Sequence, residues 1–184
     1  MLKMGKRHSR IAPKTLAELR DQTNFTVGEI QEWYKEFRIT WPKEILTMKE
    51  FKTAYSTIFP IGDAAEFAEH VFRVFDLNGD GLLDFREFMC GFSVVLRGSV
   101  EEKLMFSFRI YDVDCNGFIS RDEMKQVLSA VYNVADEINR EDPADKTEKI
   151  FNQMDINGDD KLSLDEFING IKKNSHIVKM FNSE

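Results

Sequence analysis

Several features that mark common protein classes are scarce or missing in this sequence. The chain has only 2 cysteines in 184 residues, too few for a disulfide framework, which favours a reducing cytosol. No apolar run approaches the roughly 18–20 residues needed to span a bilayer, and the N-terminal residues lack the continuous apolar stretch of a secretory signal. Phosphate-binding loops, dinucleotide fingerprints and hydrolase nucleophile motifs are also missing. We therefore expect a cytoplasmic protein that is not an enzyme.

The composition is that of a folded, acidic protein with a basic N-terminal arm. Hydrophobic residues make up 42% of the chain, including 16 Phe, so a sizeable core can form. Of the formal net charge of −7, residues 1–20 contribute +5 and the rest −12. An acidic body argues against nucleic acid as a partner. The arm either binds an anionic membrane surface or only keeps the N-terminus soluble.

One twelve-residue pattern occurs three times, at 76–87, 112–123 and 155–166. Each copy has Asp at position 1, Asp or Asn at positions 3 and 5, and Glu at position 12. Apolar residues at helical spacing precede and follow each copy, which is typical of a loop between two helices. We number these copies loops two, three and four, because a further copy precedes them.

The spacing puts oxygen donors where a hard cation needs them. Calcium takes six to eight oxygens at roughly 2.3–2.6 Å, from side chains at positions 1, 3, 5, 9 and 12 and from the carbonyl at position 7. Two oxygens from Glu at position 12 favour Ca²⁺ over octahedral Mg²⁺, which remains a candidate ion when calcium is absent. The predicted ligands are Asp76, Asn78, Asp80, Leu82, Asp84 and Glu87 in loop two, Asp112, Asp114, Asn116, Phe118, Ser120 and Glu123 in loop three, and Asp155, Asn157, Asp159, Lys161, Ser163 and Glu166 in loop four.

The three loops differ at position 6, where the backbone must turn in a left-handed conformation. Gly81 and Gly117 adopt it freely, whereas loop four has Asp160 there. A non-glycine residue in this conformation costs about 1 kcal/mol. We therefore expect loop four to bind calcium more weakly than loop three.

The same phase predicts a degenerate copy upstream, loop one, at 39–50. Leu46 and Glu50 match positions 8 and 12, but Ile39, Trp41 and Lys43 occupy the first three ligand positions. None of these three side chains is a calcium ligand, so loop one should not bind metal.

Four motifs predict an all-α fold with four EF-hand helix-loop-helix units in two paired lobes. Residues at position 8 should join paired loops through short β-bridges. Thr26 and Ser99 each precede a Glu by three residues and so predict helix starts with capping boxes. The predicted divisions are a basic arm with a first helix at 1–25, a first EF-hand pair at 26–97, a second pair at 98–172, and a C-terminal helix or tail at 173–184.

Segments around the motifs resemble the neuronal calcium sensor family. The similarity rests on Trp33-Tyr34-Lys35, Trp41-Pro42 and the stretches 59–63, 67–73 and 84–88, and it covers essentially the whole chain. It is closest to the hippocalcin and visinin-like branch, with recoverin more distant. The family disables its first loop with a Cys-Pro pair; here Trp41 replaces that Cys.

The resemblance implies a calcium–myristoyl switch, in which calcium exposes an apolar groove in the first EF-hand pair (the N-terminal lobe) and an N-terminal lipid. Residues 4–9 fit the myristoylation pattern, with Gly5 as acceptor, but Gly5 becomes N-terminal only if translation starts at Met4. As written, the chain should not be acylated. For Phe72 and Phe88 an ordinary core position is an equal alternative to the groove. The predicted groove residues are Trp33, Phe37, Phe51, Tyr55, Phe59, Phe72, Phe88 and Phe92.

Three functions remain open at this point. The first is a calcium sensor that regulates target proteins and associates reversibly with membranes. By family resemblance its targets would be receptor kinases, cyclases, lipid kinases or channels, and a homodimer is also open. The others are a constitutive enzyme subunit resembling calcineurin B, and a passive calcium buffer.

Overall fold

The computed structural model describes residues 11–58, 64–134 and 142–173. Within these ranges the chain is mostly helical with four three-residue strands, which confirms the predicted fold class. The elements are α1 Pro13–Gln22, α2 Val27–Thr40, β1 Ile45–Thr47, α3 Met48–Ile58, α4 Ala65–Phe75, β2 Leu82–Asp84, α5 Phe85–Arg97, α6 Val100–Tyr111, β3 Phe118–Ser120, α7 Arg121–Val134, α8 Pro143–Met154, β4 Lys161–Ser163 and α9 Leu164–Lys173.

Three predicted features lie outside the described residues. They are Gly5 with the first half of the basic arm, Phe59 of the predicted groove, and the C-terminal segment 174–184. None of the helices that the structure does describe is both long and apolar enough to cross a membrane.

Both predicted capping boxes are present. At the start of α2, the Thr26 hydroxyl accepts from the Glu29 N–H at 3.3 Å, and the Glu29 carboxylate accepts from the Thr26 N–H at 2.8 Å. Ser99 and Glu102 form the same reciprocal pair before α6. These bonds satisfy N–H groups that a helix start leaves without intrahelical partners.

Two antiparallel bridges pair the loops as the position-8 residues predict. Leu46 lies opposite Leu83, and Ile119 lies opposite Leu162. All four side chains are fully buried. The degenerate first motif therefore pairs with the second, and the third with the fourth. We call the two halves the N-lobe and the C-lobe.

The lobes have separate cores that meet at one interface. The N-lobe core is rich in Phe, and it also takes in Ile110 of α6 and Val127 of α7 from the C-lobe. The C-lobe core is centred on Leu104, Phe108 and Phe151. Because each buried large apolar side chain contributes roughly 1.5–3 kcal/mol, Ile110 and Val127 make the lobe interface a stabilising contact.

The connection between the lobes is two residues long, Gly98 and Ser99. The Gly98 N–H donates to the Val94 carbonyl at 3.0 Å and ends α5. A Cβ atom on Gly98 would lie 2.4 Å from that carbonyl oxygen. Only glycine therefore fits between α5 and α6 without moving the helix end.

An ion pair within the N-lobe gives the fold a testable dependence on pH. The hydrogen bond from Arg97, together with the capping bonds from Thr26, lowers the pKa of Glu29 to about 2 from 4.5. A carboxyl whose folded pKa is depressed stabilises the fold above its unfolded pKa, and the contribution is lost as pH falls through the folded value. We expect Glu29→Gln to lower stability at neutral pH and to flatten the stability loss between pH 4.5 and about 2.

Urea unfolding followed by circular dichroism across this pH range, in the presence of chelator, measures the difference. Chelator matters because protonation of calcium ligands would otherwise add its own pH dependence. Glu32→Gln removes an exposed carboxylate from the same helix and should reproduce the wild-type profile. A Glu29→Gln profile parallel to wild type would contradict the assignment.

Candidate functional site

All four loops make the same left-handed turn at position 6. The φ angle is +77° at Gly81, +87° at Gly117 and +61° at Asp160, and Glu44 of loop one has +62°. The degenerate loop has therefore kept the backbone shape of a binding loop.

Loop three gathers its acids most closely. Oxygen atoms of Asp112, Asp114 and Glu123 all lie within 4.8 Å of one another, and no other such group of three His, Cys, Asp or Glu occurs in the described parts of the chain. An all-oxygen donor set with carboxylates suits calcium. Asn116 extends the set, since its amide donates to Asp114 at 2.8 Å.

The position-1 aspartates shape each loop through its backbone. The Asp76 carboxylate accepts from the N–H groups of Gly79 and Gly81, both at 2.8 Å. Asp112 and Asp155 accept in the same way in loops three and four. Side chains at positions 3 and 5 each accept from the N–H two residues on, as Asn78 and Asp80 do. The position-7 residues Leu82, Phe118 and Lys161 each begin a strand.

The glutamates at position 12 have a second role that the sequence reasoning missed. Glu123 accepts from the Ser120 N–H at 2.8 Å, and its own N–H donates to the Ser120 hydroxyl at 3.3 Å. The same box joins Glu87 to Asp84 and Glu166 to Ser163. The Ser or Asp three residues before each Glu was the available signal. Each of these three glutamates, the predicted ligand at position 12, therefore also takes part in capping the helix that begins beside it.

These three carboxyl groups differ in how readily they ionise. Burial raises the pKa of Glu87, and the charges of Asp84 and Asp76 act in the same direction. Burial also acts on Glu123, but hydrogen bonds from Ser120 and from backbone N–H groups outweigh it and lower the pKa. The backbone hydrogen bond from Ser163 lowers the pKa of Glu166. Hydrogen bonds therefore outweigh burial at Glu123 and Glu166, whereas burial dominates at Glu87.

In loop one, side chains of the preceding helix α2 bind the acid at position 6. Its position-6 residue, Glu44, accepts from the Tyr34 hydroxyl at 2.9 Å and pairs with Arg38 at 2.9 Å. Trp41, at ligand position 3, packs against Phe37 with ring centroids 5.1 Å apart. The side chain at this ligand position therefore packs in the aromatic core.

The groove is a cavity of about 810 Å³ bounded by helices from both lobes. Among the predicted residues, Trp33, Phe37, Phe51, Tyr55, Phe88 and Phe92 line it. Phe72 lies in the core and is not among the residues that line the cavity. It is only 2% exposed and packs edge-on against Phe51. Phe88 lines the cavity and is also 6% exposed, so it serves both roles.

Sequence reasoning missed the wall that α6 contributes. Lys103, Phe106, Ser107 and Ile110 line the groove although α6 belongs to the third motif. Nothing in the local pattern of α6 distinguishes these residues from an ordinary core face. Trp41, Phe67, Val71 and Phe75 also line the cavity. The groove is therefore not a property of the N-lobe alone.

Loop four has an ion pair at its unfavourable position. Asp160 pairs with Arg121 of α7 at 2.9 Å, and Arg121 also contacts Glu148 at 2.8 Å and the face of Phe151. Asp160 thus resembles Glu44 in loop one: each is an acid in the left-handed conformation at position 6, and each pairs with an arginine. Arg121 offsets part of the cost that the sequence assigns to Asp160.

We expect Arg121→Met to weaken calcium binding at loop four about twofold to fivefold, the range of a partly exposed ion pair. In an Asp160→Gly background, which has neither strain nor pair, the same substitution should change little. Calorimetric titration of chains carrying Glu87→Gln and Glu123→Gln isolates loop four. Lys172→Met, which removes an ion pair to Glu101 in the same lobe, is the matched control. Equal effects of Arg121→Met in both backgrounds would count against the pair.

Comparison with known proteins agrees with this geometry. The chain matches two family models, the EF-hand domain pair over residues 101–172 and the EF hand over residues 67–89. Neuronal calcium sensor 1 of Aplysia californica is 44% identical over 181 residues, which cover 96% of this chain and 95% of the relative. Guanylyl cyclase-activating protein 2 of Lithobates pipiens is 39% identical over 173 residues, 90% and 87% of the two chains. S-modulin of Aquarana catesbeiana is 36% identical over 184 residues, which cover 95% of this chain and 90% of the relative.

These relatives are similar to the chain along almost its whole length, and the EF-hand matches include all three loops with a complete ligand pattern. The bound ion is therefore Ca²⁺. The individual ligands and the branch within the family stay predictions. The chain belongs to the neuronal calcium sensor family of EF-hand proteins.

Proposed function

We propose that calcium binding at loops two, three and four controls access of a target protein to the groove between α2, α3, α4, α5 and α6. The observation that supports this most strongly is the groove itself, which is almost wholly apolar and aromatic. Apolar surface on this scale is costly to leave facing water, and it is typical of binding sites.

The chemistry of the groove favours an amphipathic helix as its occupant. Long apolar grooves between helices bind the apolar face of a helix through side chains three or four residues apart. Two lining residues carry charge, Glu36 and Lys103. They suit a target helix with polar or charged residues flanking its apolar face.

The calcium ligands are next to groove residues along the chain. Phe75 lines the groove and directly precedes Asp76, the first ligand of loop two. Phe88 lines it and directly follows Glu87, the last ligand. A change in the angle between α4 and α5 on calcium binding would therefore move two walls of the groove.

The two alternative functions fit the groove less well. A passive buffer needs the loops but has no use for an apolar cavity of about 810 Å³. A constitutive subunit would keep its groove occupied whether or not calcium is bound. Among the target classes, cyclases gain support from the name of one relative, guanylyl cyclase-activating protein 2. Receptor kinases, lipid kinases and channels rest on the family resemblance.

The basic N-terminal arm supports a second proposal, reversible attachment of a cytoplasmic protein to anionic membranes. A myristoyl group on Gly5 would bind membranes only marginally by itself, with K about 10⁴ M⁻¹. Neighbouring Lys and Arg add up to about 1 kcal/mol each on an anionic leaflet. Together the two signals give attachment that calcium can control.

Substitution of an exposed groove residue tests the first proposal without disturbing the core. Leu96 lines the groove and is 53% exposed, whereas Ile39 is 64% exposed and is not a lining residue. We expect Leu96→Gln to lower the calcium-dependent fluorescence of an apolar dye about twofold, because it places a polar amide in the site. Trp33→Ala should lower it further.

Ile39→Gln is the matched control and should behave as wild type. The titration is repeated with magnesium, which should give little dye fluorescence. Dye binding that is independent of calcium would favour the constitutive subunit, and no dye binding in either state would favour the buffer.

The membrane proposal is tested with protein that starts at Met4 and is myristoylated at Gly5. We expect it to sediment with vesicles containing phosphatidylserine in calcium and to stay in solution in chelator. Added salt should weaken sedimentation because it screens the basic residues. Gly5→Ala, which cannot be acylated, should not sediment. Equal sedimentation with and without calcium would contradict a calcium-controlled anchor.

A further inference from the structure

The side chain of Arg73 reaches from α4 of the N-lobe to the end of α6 in the C-lobe. One guanidinium nitrogen donates to the carbonyls of Asp112 at 2.6 Å and Val113 at 2.9 Å. The other donates to the carbonyls of Arg109 at 3.1 Å and Ile110 at 2.8 Å. Four carbonyls at the start of loop three are thus bound by one side chain of the other lobe.

These carbonyls need an outside donor because loop three uses the N–H groups that would normally serve them. In a continuing helix, Arg109 and Ile110 would accept from the N–H groups four residues later, those of Val113 and Asp114. Both N–H groups instead donate to Glu123, at 2.9 and 3.1 Å. At the end of α6, Glu123 therefore binds these N–H groups and Arg73 binds the carbonyls.

The same helix end also belongs to the groove. Phe106 and Ile110 on α6 line it, and so do Val71 and Phe75 on α4, on either side of Arg73. A guanidinium also carries a positive charge at the negative end of the α6 dipole, which strengthens the contact. Arg73 thus joins loop three to two walls of the groove through a short, continuous set of hydrogen bonds.

We propose that Arg73 is a positioning residue that transmits calcium occupancy of loop three to the N-lobe walls of the groove. When Glu123 closes on the ion, the polar groups at the end of α6 are rearranged, and Arg73 carries that change to α4. The coupling is reciprocal, as every equilibrium coupling between two sites is. It is independent of what occupies the groove, so it can hold even if the proposed target mode is wrong.

The chain contains its own reporter for this coupling. Both of its tryptophans, Trp33 and Trp41, line the groove in the N-lobe. In full-length protein carrying Glu87→Gln and Glu166→Gln, loop three is the remaining complete loop. Calcium can then alter tryptophan emission only through contacts between the lobes. Calorimetry on the same samples records whether loop three is filled.

With Arg73 present, saturating calcium should change the tryptophan emission. With Arg73→Met, loop three should still fill at high calcium, but most of the emission change should be lost, because the hydrogen bonds from α4 to the end of α6 are gone. Arg73→Lys should give an intermediate response, since an ammonium group cannot bridge four carbonyls as a guanidinium does. Arg109→Met is the matched control, because Arg109 holds the same place before loop three and is exposed; it should respond as wild type.

The proposal is overturned by a full emission change in Arg73→Met with loop three filled, or by no change when Arg73 is intact. An equal loss in Arg109→Met would also overturn it, because the effect would then be one of charge near the loop. If circular dichroism shows that Arg73→Met is unfolded, Arg73→Lys decides, and a wild-type response there rejects the proposal.

Discussion

The carboxylate at position 12 is the group on which each binding loop depends. In loop three, Glu123 caps α7 through Ser120 and holds the N–H groups of Val113 and Asp114 at the other end of the loop. One side chain thus ties the end of the entering helix to the start of the exiting helix. Because the same carboxylate is a predicted calcium ligand, the ion would bind at the group that joins the two helix ends.

The antiparallel bridge between two loops connects a change in one loop to the whole lobe. Leu46 and Leu83 are fully buried opposite each other, so loop two is fixed to a loop that has no calcium-binding side chain at its first three ligand positions. Loop one keeps its left-handed turn at Glu44, with Arg38 and Tyr34 supplying the interactions that hold it. It therefore provides a stable partner strand whatever the calcium concentration. Movement on calcium binding at loop two is then expected mainly on the α4 and α5 side of the bridge.

Much of the fold and of the metal chemistry could be predicted from the sequence because both depend on local spacing. The ligand pattern and the capping boxes at Thr26 and Ser99 follow from residues close together in the chain. The register of Leu46 against Leu83 follows from the repeat, because each residue holds position 8 of its own loop. The roles of Arg73 and Arg121 could not be predicted, since their partners lie in other motifs and any surface arginine has the same local pattern. The α6 wall of the groove was missed for a similar reason. Its residues alternate like those of any amphipathic helix, and only the packing of the lobes exposes Phe106 and Ile110 to the cavity.

Trp41 affects the shape of the groove without being a predicted calcium ligand, whereas elsewhere the groove and the calcium ligands lie side by side. Residues around loop two serve both the ion and the groove, so substitutions there would change calcium affinity and target choice at once. Trp41 occupies a ligand position in a loop that is predicted not to bind metal, and its ring lies against Phe37 and Phe88 on the cavity wall. A substitution at this position can reshape the groove while every calcium ligand stays in place. The degenerate loop is therefore a place where the shape of the groove can change without the loss of a predicted calcium ligand.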